Sequence, residues 1–404
     1  MRHRLFLRKD IKNIALRLAD KFLNLFSVLL FLFFFISCTV EPTRSPIDLN
    51  IAGPIDIAFS SDTFMYIANA NIFQDFIGGS LLVLNITDPL NPVKEDSVEL
   101  PLFSGRIVIN DAVLPDQLFV TNRFSDDDAD TVDRVFELST AVPILPTETR
   151  VVDVFDDPFG IDIVPAGLNT GLVCVTILSF GQVECFDGSD PDSVSEEINL
   201  ISLTHDGTLS SAIAISPDGS RGIVSNITQN LLYVLDLTAP DDLTLEAVLS
   251  INLDTVSMPN FRDILWLDND RFVVSNWTYS GLFLFDLSLI FDDGPLPDDD
   301  ETEEILIEAA TNIGVSLIPL TDNSAPLALA RVGNLLYVTE YNKGRVSIIN
   351  LITLAVESTI LSGGQGPVAI RLEPGNRYLY VANQTNSRIG IVDSLTNELV
   401  GSFN

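Results

Sequence analysis

The sequence predicts an all-β fold in a single domain over residues 51–404: one ring of seven four-stranded antiparallel blades, a β-propeller. Three observations predict it. A strand, turn and second-strand pattern recurs at a mean spacing of about 52 residues, within the range of four-stranded blades. A segment that alternates apolar and polar residues follows the third strand of the repeats, as an outer edge facing solvent requires. No helical period of comparable length occurs after residue 50.

The repeats begin near residues 54, 105, 159, 211, 261, 326 and 367. The most regular copies are AIAISPDGSRGIVSNITQNLLYVLDL (212–237) and VAIRLEPGNRYLYVANQTNSRIGIVDS (368–394). Residues 55–70, 264–288 and 327–351 repeat the same order, while 107–123 and 161–177 keep the turn and blur the rest. Outer strands are expected at PTETRVVDV, EEINLISL, LEAVLSINL, VSLIPL, VESTILS and ELVGSFN. A single blade cannot bury both of its faces, so seven must close on one another to make a core. Either ELVGSFN or residues 47–52 can supply the outer strand that closes the ring.

Mean hydropathy is +0.32 and hydrophobic residues make up 47%, which excludes a disordered chain. The formal charge is −34, and beyond residue 37 it stands near −39, with 15 bases against 54 acids. Such a body is repelled by nucleic acid, so a charged partner is expected to be a cationic ligand or a metal ion. An unknown protein is the other partner expected, and the domain itself is expected to be a monomer.

The N-terminus reads as an address. Residues 1–21 are basic, Phe22–Ile36 is almost wholly apolar, and Phe35-Ile36-Ser37-Cys38 follows. About 15 apolar residues are short for a span that needs ~20. The pattern is that of a secretory signal over 1–37. The tetrapeptide resembles a bacterial lipobox, which implies acylation of Cys38 and a membrane anchor, with 38–50 as a tether. By the same resemblance, Thr39 in place of Asp implies an outer-membrane lipoprotein, facing either the periplasm or the exterior.

Tyr380-Val381-Ala382-Asn383, Phe119-Val120-Thr121-Asn122 and the turn Ser216-Pro217-Asp218-Gly219 resemble the YVTN-type β-propeller repeat family over roughly 54–404. Leu82–Pro92 is similar to the related LVIVD-type repeat. The resemblance implies the fold and a cell-envelope setting, and it implies little chemistry. The recurrent Asn69, Asn122, Asn226, Asn276 and Asn383 read as structural, because Asn tolerates positive φ and bonds local backbone.

Few residues offer catalysis. His205 is the one histidine past residue 37, with Asp206 adjacent only in sequence. The leading expectation is therefore a non-enzymatic binding or interaction module. The alternative is a metal-assisted lactonase- or hydrolase-type enzyme with its site in the central channel.

Asp126, Asp128, Asp130 and Glu137 take relative positions 1, 3, 5 and 12, the oxygen spacing of a calcium loop, with Thr131 in place of the turn glycine. Calcium is thus the one cofactor suggested. Asp56, Asp162 and Asp263 align on the first strands of blades one, three and five, where they would make an acidic channel mouth unless bonded or paired internally. Cys174 and Cys185 flank a tight turn, which leaves a cross-strand disulfide and two buried thiols both open. Phe73, Phe76, Trp277 and Tyr279 fall on loops of one face, where they form either a recognition patch or ordinary packing. Asp292–Glu304, with eight acids in thirteen residues, reads as a self-repelling loop.

Overall fold

The computed structural model describes residues 47–404, apart from 61–62, 74, 77, 102, 111–116, 124–132, 191, 194–195, 201–208, 240–242, 253–259, 292–302 and 309–313. The leader, Cys38, Asp126, Asp128, Asp130 and His205 lie outside the described residues.

The strands assemble into seven sheets, each built on four antiparallel strands in chain order, with blade five taking Val315–Pro319 as its fourth after Glu303–Glu308 has joined blade four. The molecule is an all-β seven-bladed propeller. Its innermost strands are Pro54–Phe59, Ser104–Asn110, Pro158–Ile163, Ser210–Ile215, Phe261–Trp266, Pro326–Val332 and Pro367–Leu372. The core is divided accordingly into seven apolar clusters, each shared by two neighbouring blades. Blades four and five, for example, bury Phe261, Phe272, Phe283 and Phe285 against Leu232 and Leu249. The outer strands face solvent, and Ala355–Leu361 is exposed at nearly every residue.

The strand Glu398–Phe403 closes blade seven, so the ring is completed without a strand lent by another part of the described chain. Residues 47–52 pack instead. Ile47 is 2% exposed, and the Asn50 carbonyl accepts from the Asn69 amide, so ordered packing begins within the expected tether. One departure from the simple repeat is a fifth strand. Glu303–Glu308, expected in part as loop, runs parallel to the outer strand Thr244–Asn252 of blade four.

Every innermost strand carries a bulge near its start, where the pairing register to the second strand shifts. The shift leaves backbone groups off the ladder, and buried groups of that kind must find other partners. In blades two to five the penultimate residue of the second strand supplies them. Thr121, Thr176, Ser225 and Ser275 each accept from a backbone N–H of their own inner strand: Arg106, Gly160, Ala212 and Asp263. The same hydroxyls then donate to a carbonyl of the next blade: Phe159, Ser211, Arg262 and Leu327. Gly160 is required beside this latch, because a Cβ there would stand 2.2 Å from the Ser211 carbonyl oxygen. In blades one and seven the position is Ala68 or Ala382, and Asp56 and Ala369 pair directly opposite.

Cys174 and Cys185 are direct cross-strand partners in blade three, fully buried and joined by a disulfide.

Candidate functional site at the channel mouth

The inner strands all start at one face, and the second residue of six of them turns toward the axis there. Ile55, Phe159, Ser211, Arg262, Leu327 and Val368 wall a cavity of about 340 Å³. Blade two contributes Arg106, one residue further along, because Gly105 has no side chain to offer. Trp277, Tyr341 and Gln384, each the first residue after a second strand, complete the rim. Trp277 and Tyr341 pack ring against ring with centroids 5.1 Å apart.

The guanidinium of Arg262 lies 5.6 Å from the Trp277 ring centroid. Burial pushes Arg262 down to about 10, and repulsion from Arg106 adds to the effect, so the group stays charged at neutral pH under strain. Its Nε is buried with no hydrogen-bond acceptor. Among the described residues no carboxylate comes within ion-pair reach of Arg262. Arg106 Nη1 is also buried without an acceptor, 3.7 Å from Asp56 Oδ1. Arg123, on the same face, is neutralised by Asp157 while lying over the Phe159 ring.

The three channel carboxylates sit differently from the sequence alignment. Pairing register makes Asp56 equivalent to Arg106, Gly160, Ala212, Asp263, Ala328 and Ala369, and it places Asp162 two residues deeper. The similar stretches Ile55-Asp56-Ile57 and Ile161-Asp162-Ile163 invite the misalignment, because they stand at different depths in their strands. Each carboxylate takes a backbone N–H from the following blade: Asp56 from Ile107, Asp162 from Ile215 and Asp263 from Leu329. Arg371 reaches Asp56 at 2.9 Å. Although burial works against its charge, the carboxylates of Asp56, Asp263 and Asp162 hold Arg371 above its ordinary value. Burial pushes Asp162 up to about 6, against the pull of its two backbone hydrogen bonds and Arg371. These acids brace the blades and ring a central arginine, and the wall of the mouth is apolar and cationic instead.

Of the four expected calcium ligands only Glu137 is described. It lies within the strand Arg134–Ser139, where Gln117, Thr149 and Arg150 hold its two oxygens. Among the described residues no group of three His, Cys, Asp or Glu side chains is placed to hold a metal. The aromatic loop residues divide. Trp277 lines the mouth, and Tyr279 packs on Phe283 at 5.2 Å. Phe73 is 52% exposed, while Phe76 is half-buried in a loop held by the Asn71 side chain.

Four of the five recurrent asparagines tie down loops of this face, while Asn122 Oδ1 is buried without a partner. Asn226 and Asn276 accept from backbone N–H groups just ahead of them, and Asn69 and Asn383 bond neighbouring segments. None of the five adopts positive φ, so the left-handed preference invoked for them is not what they use. Sequence reasoning missed Arg106, Arg262, Tyr341 and Gln384 as site residues. The second position of the inner strand has no common residue type to reveal it.

No family model matches the chain, and no curated protein matches its sequence. Solved structures do. Kuenenia stuttgartiensis hydrazine synthase is similar at 15% identity and a TM-score of 0.62, over 88% of this chain and 99% of that one. A functionally unknown protein from Desulfotomaculum acetoxidans is 16% identical with a TM-score of 0.54, over 76% and 85% of the two chains. The β-propeller domain of Myceliophteria thermophila Cps50 (Swd1) is 11% identical with a TM-score of 0.60, over 86% and 98%. At these identities the likeness is one of fold, and it agrees with the seven-bladed propeller seen here.

Proposed function

We propose that the chain is an exported, lipid-anchored binding module of the cell envelope, non-enzymatic, which uses the channel-mouth face of a YVTN-type propeller. The observation that carries the binding reading is the cavity assembled from all seven inner strands and rimmed by Trp277 and Tyr341. Concave, mostly apolar sites with a few converging polar groups are the usual form of small-molecule sites. The anchor rests on the lipobox-like Phe35–Cys38, and outer-membrane placement on Thr39. The family reading is supported by the hydroxyl at the third letter of the motif, which at Thr121 ties blade two to blade three and at Thr339 bonds the Ala328 backbone of its own inner strand.

Two measurements test the parts separately. Expressed in a bacterial host with labelled palmitate, the full chain is expected to carry label and to fractionate with the outer membrane. Cys38→Ala is expected to lose both. Label on Cys38→Ala, or none on the natural chain, refutes the anchor. A photo-crosslinker at position 277 is expected to capture a bound molecule, whereas one at Ile352, 74% exposed on a turn of the opposite face, is not. Equal capture at both positions would refute the mouth as the binding face.

A further inference from the structure

We infer that the channel mouth binds a small organic monocarboxylate with an aromatic or branched aliphatic body, its carboxylate seated between Arg262 and Arg106. This rests on the mouth being the binding face. It replaces the cationic ligand that net charge suggests with an anionic one, on local grounds.

A chain of net charge −34 repels anions, so two arginines converging at one opening are the exception to be explained. Arg150, Arg221 and Arg345 each hold a carboxylate within 3.1 Å. Arg262 instead faces Arg106 and the Trp277 ring, with a buried Nε that lacks an acceptor. Leaving a buried donor unmatched is costly, and an incoming oxygen would relieve it. A carboxylate fits the planar guanidinium fork in a way a halide does not.

The charge available sets the ligand's valence. Arg106 is partly answered by Asp56 at 3.7 Å, so among the described residues Arg262 is the one arginine of the mouth wall with no carboxylate in reach, and a single guanidinium suits a monoanion better than phosphate. The walls set its body. Ile55, Leu327 and Val368 are aliphatic, Phe159, Trp277 and Tyr341 aromatic, and Ser211 and Gln384 offer few further polar atoms. A cavity of about 340 Å³ lies at the small end of ligand sites, so a single ring or short branched chain fills it.

The test is calorimetric titration of the detergent-solubilised full chain with benzoate and phenylacetate, with benzamide, phenylacetamide and inorganic phosphate as comparisons. The carboxylates are expected to bind in the millimolar range or tighter, with the amides and phosphate at least about tenfold weaker. Arg262→Met is expected to weaken the carboxylates by about tenfold or more while leaving the melting temperature of the ligand-free protein unchanged or higher, because it removes an unmatched buried charge. Should that variant not fold, Arg262→Lys keeps the charge, loses the fork, and is expected to weaken binding in the same sense. Tryptophan fluorescence should respond to benzoate and lose that response in Trp277→Phe. Equal binding of acid and amide, no binding of either acid at about 10 mM, or undiminished affinity in Arg262→Met or Arg262→Lys would each overturn the inference. None of these results bears on acylation of Cys38. Failure here with capture at position 277 intact would refute the ligand class and leave the binding face standing.

Discussion

The hydroxyl of Thr176 serves two blades at once, accepting from Gly160 at 2.8 Å and donating to Ser211 at 2.6 Å. Thr176→Val keeps the shape and leaves a buried donor and a buried acceptor unmatched. At about 1–3 kcal/mol for each orphaned group, a loss of roughly 2–6 kcal/mol is expected in urea unfolding. A change under about 0.5 kcal/mol would mean that the latch is not a structural tie. Asp162 makes the second prediction. Its folded value, about 6, lies above its ordinary 3.8, so the native state holds the proton more tightly than the unfolded chain does. The contribution is therefore fully present below pH 3.8 and is lost as pH rises through 6, by at most about 3 kcal/mol. Asp162→Asn cannot ionise, so its stability relative to the natural protein should rise between pH 4 and pH 7. A difference independent of pH would refute the assignment. Both residues lie in the copy read at 161–177, Thr176 in its blurred second strand and Asp162 as one of the three acids aligned on inner strands. Their roles were hidden because the bulge, which no single strand's composition announces, decides what stands opposite what.

At the scale of elements, blade period and outer strands were legible because each is a simple alternation repeated at a fixed distance. The fifth strand of blade four was not. Glu303–Glu308 follows an acidic run whose charge masks the strand pattern, and its parallel pairing partner, Thr244–Asn252, lies far away in sequence. The hairpin of blade three carries the element-scale prediction. Its disulfide closes a loop with a sequence separation of 11 between strands that already pair residue for residue. In the native state it adds little that the ladder does not already hold, so most of its effect falls on the unfolded chain. The loop-entropy relation gives about 2–3 kcal/mol for a loop of this length. Replacing both cysteines with valine keeps apolar volume at two fully buried positions and should lower stability by about that amount, equally with and without reductant. The natural protein should lose a similar amount on reduction. If reductant left its unfolding midpoint unmoved, the bridge would be absent in solution.

Across the whole molecule, six of the seven blade contacts are backed by a chain connection, and the seam between blades seven and one is not. That seam is held by non-covalent contacts alone. Met65, Ile67 and Leu82 of blade one pack against Tyr380, Ala382 and Ile391 of blade seven. Polar ties run from Arg371 to Asp56 at 2.9 Å and from the Tyr380 hydroxyl to the Pro89 carbonyl at 2.9 Å. The recurring motif tyrosine acts this way elsewhere too, since Tyr66 donates to the Pro143 carbonyl of the next blade. Without a covalent link the seam should open first, so damage there should show locally before it shows globally. Met65→Ala, at a fully buried position, should cost about 2–5 kcal/mol. It should also speed hydrogen exchange in Pro54–Phe59 and Pro367–Leu372 ahead of the other inner strands. Val273→Ala, in the cluster between blades five and six, should instead act on the ring as a whole, because the chain itself keeps those blades together. Uniform exchange in both variants would mean that the seam is as cooperative as any other contact. The cavity depends on the same closure, since Ile55 stands on one side of the seam and Val368 on the other. A ligand held in the mouth binds only the closed ring, so benzoate should slow exchange at the seam strands in proportion to its occupancy and leave outer strands such as Ala355–Leu361 unchanged.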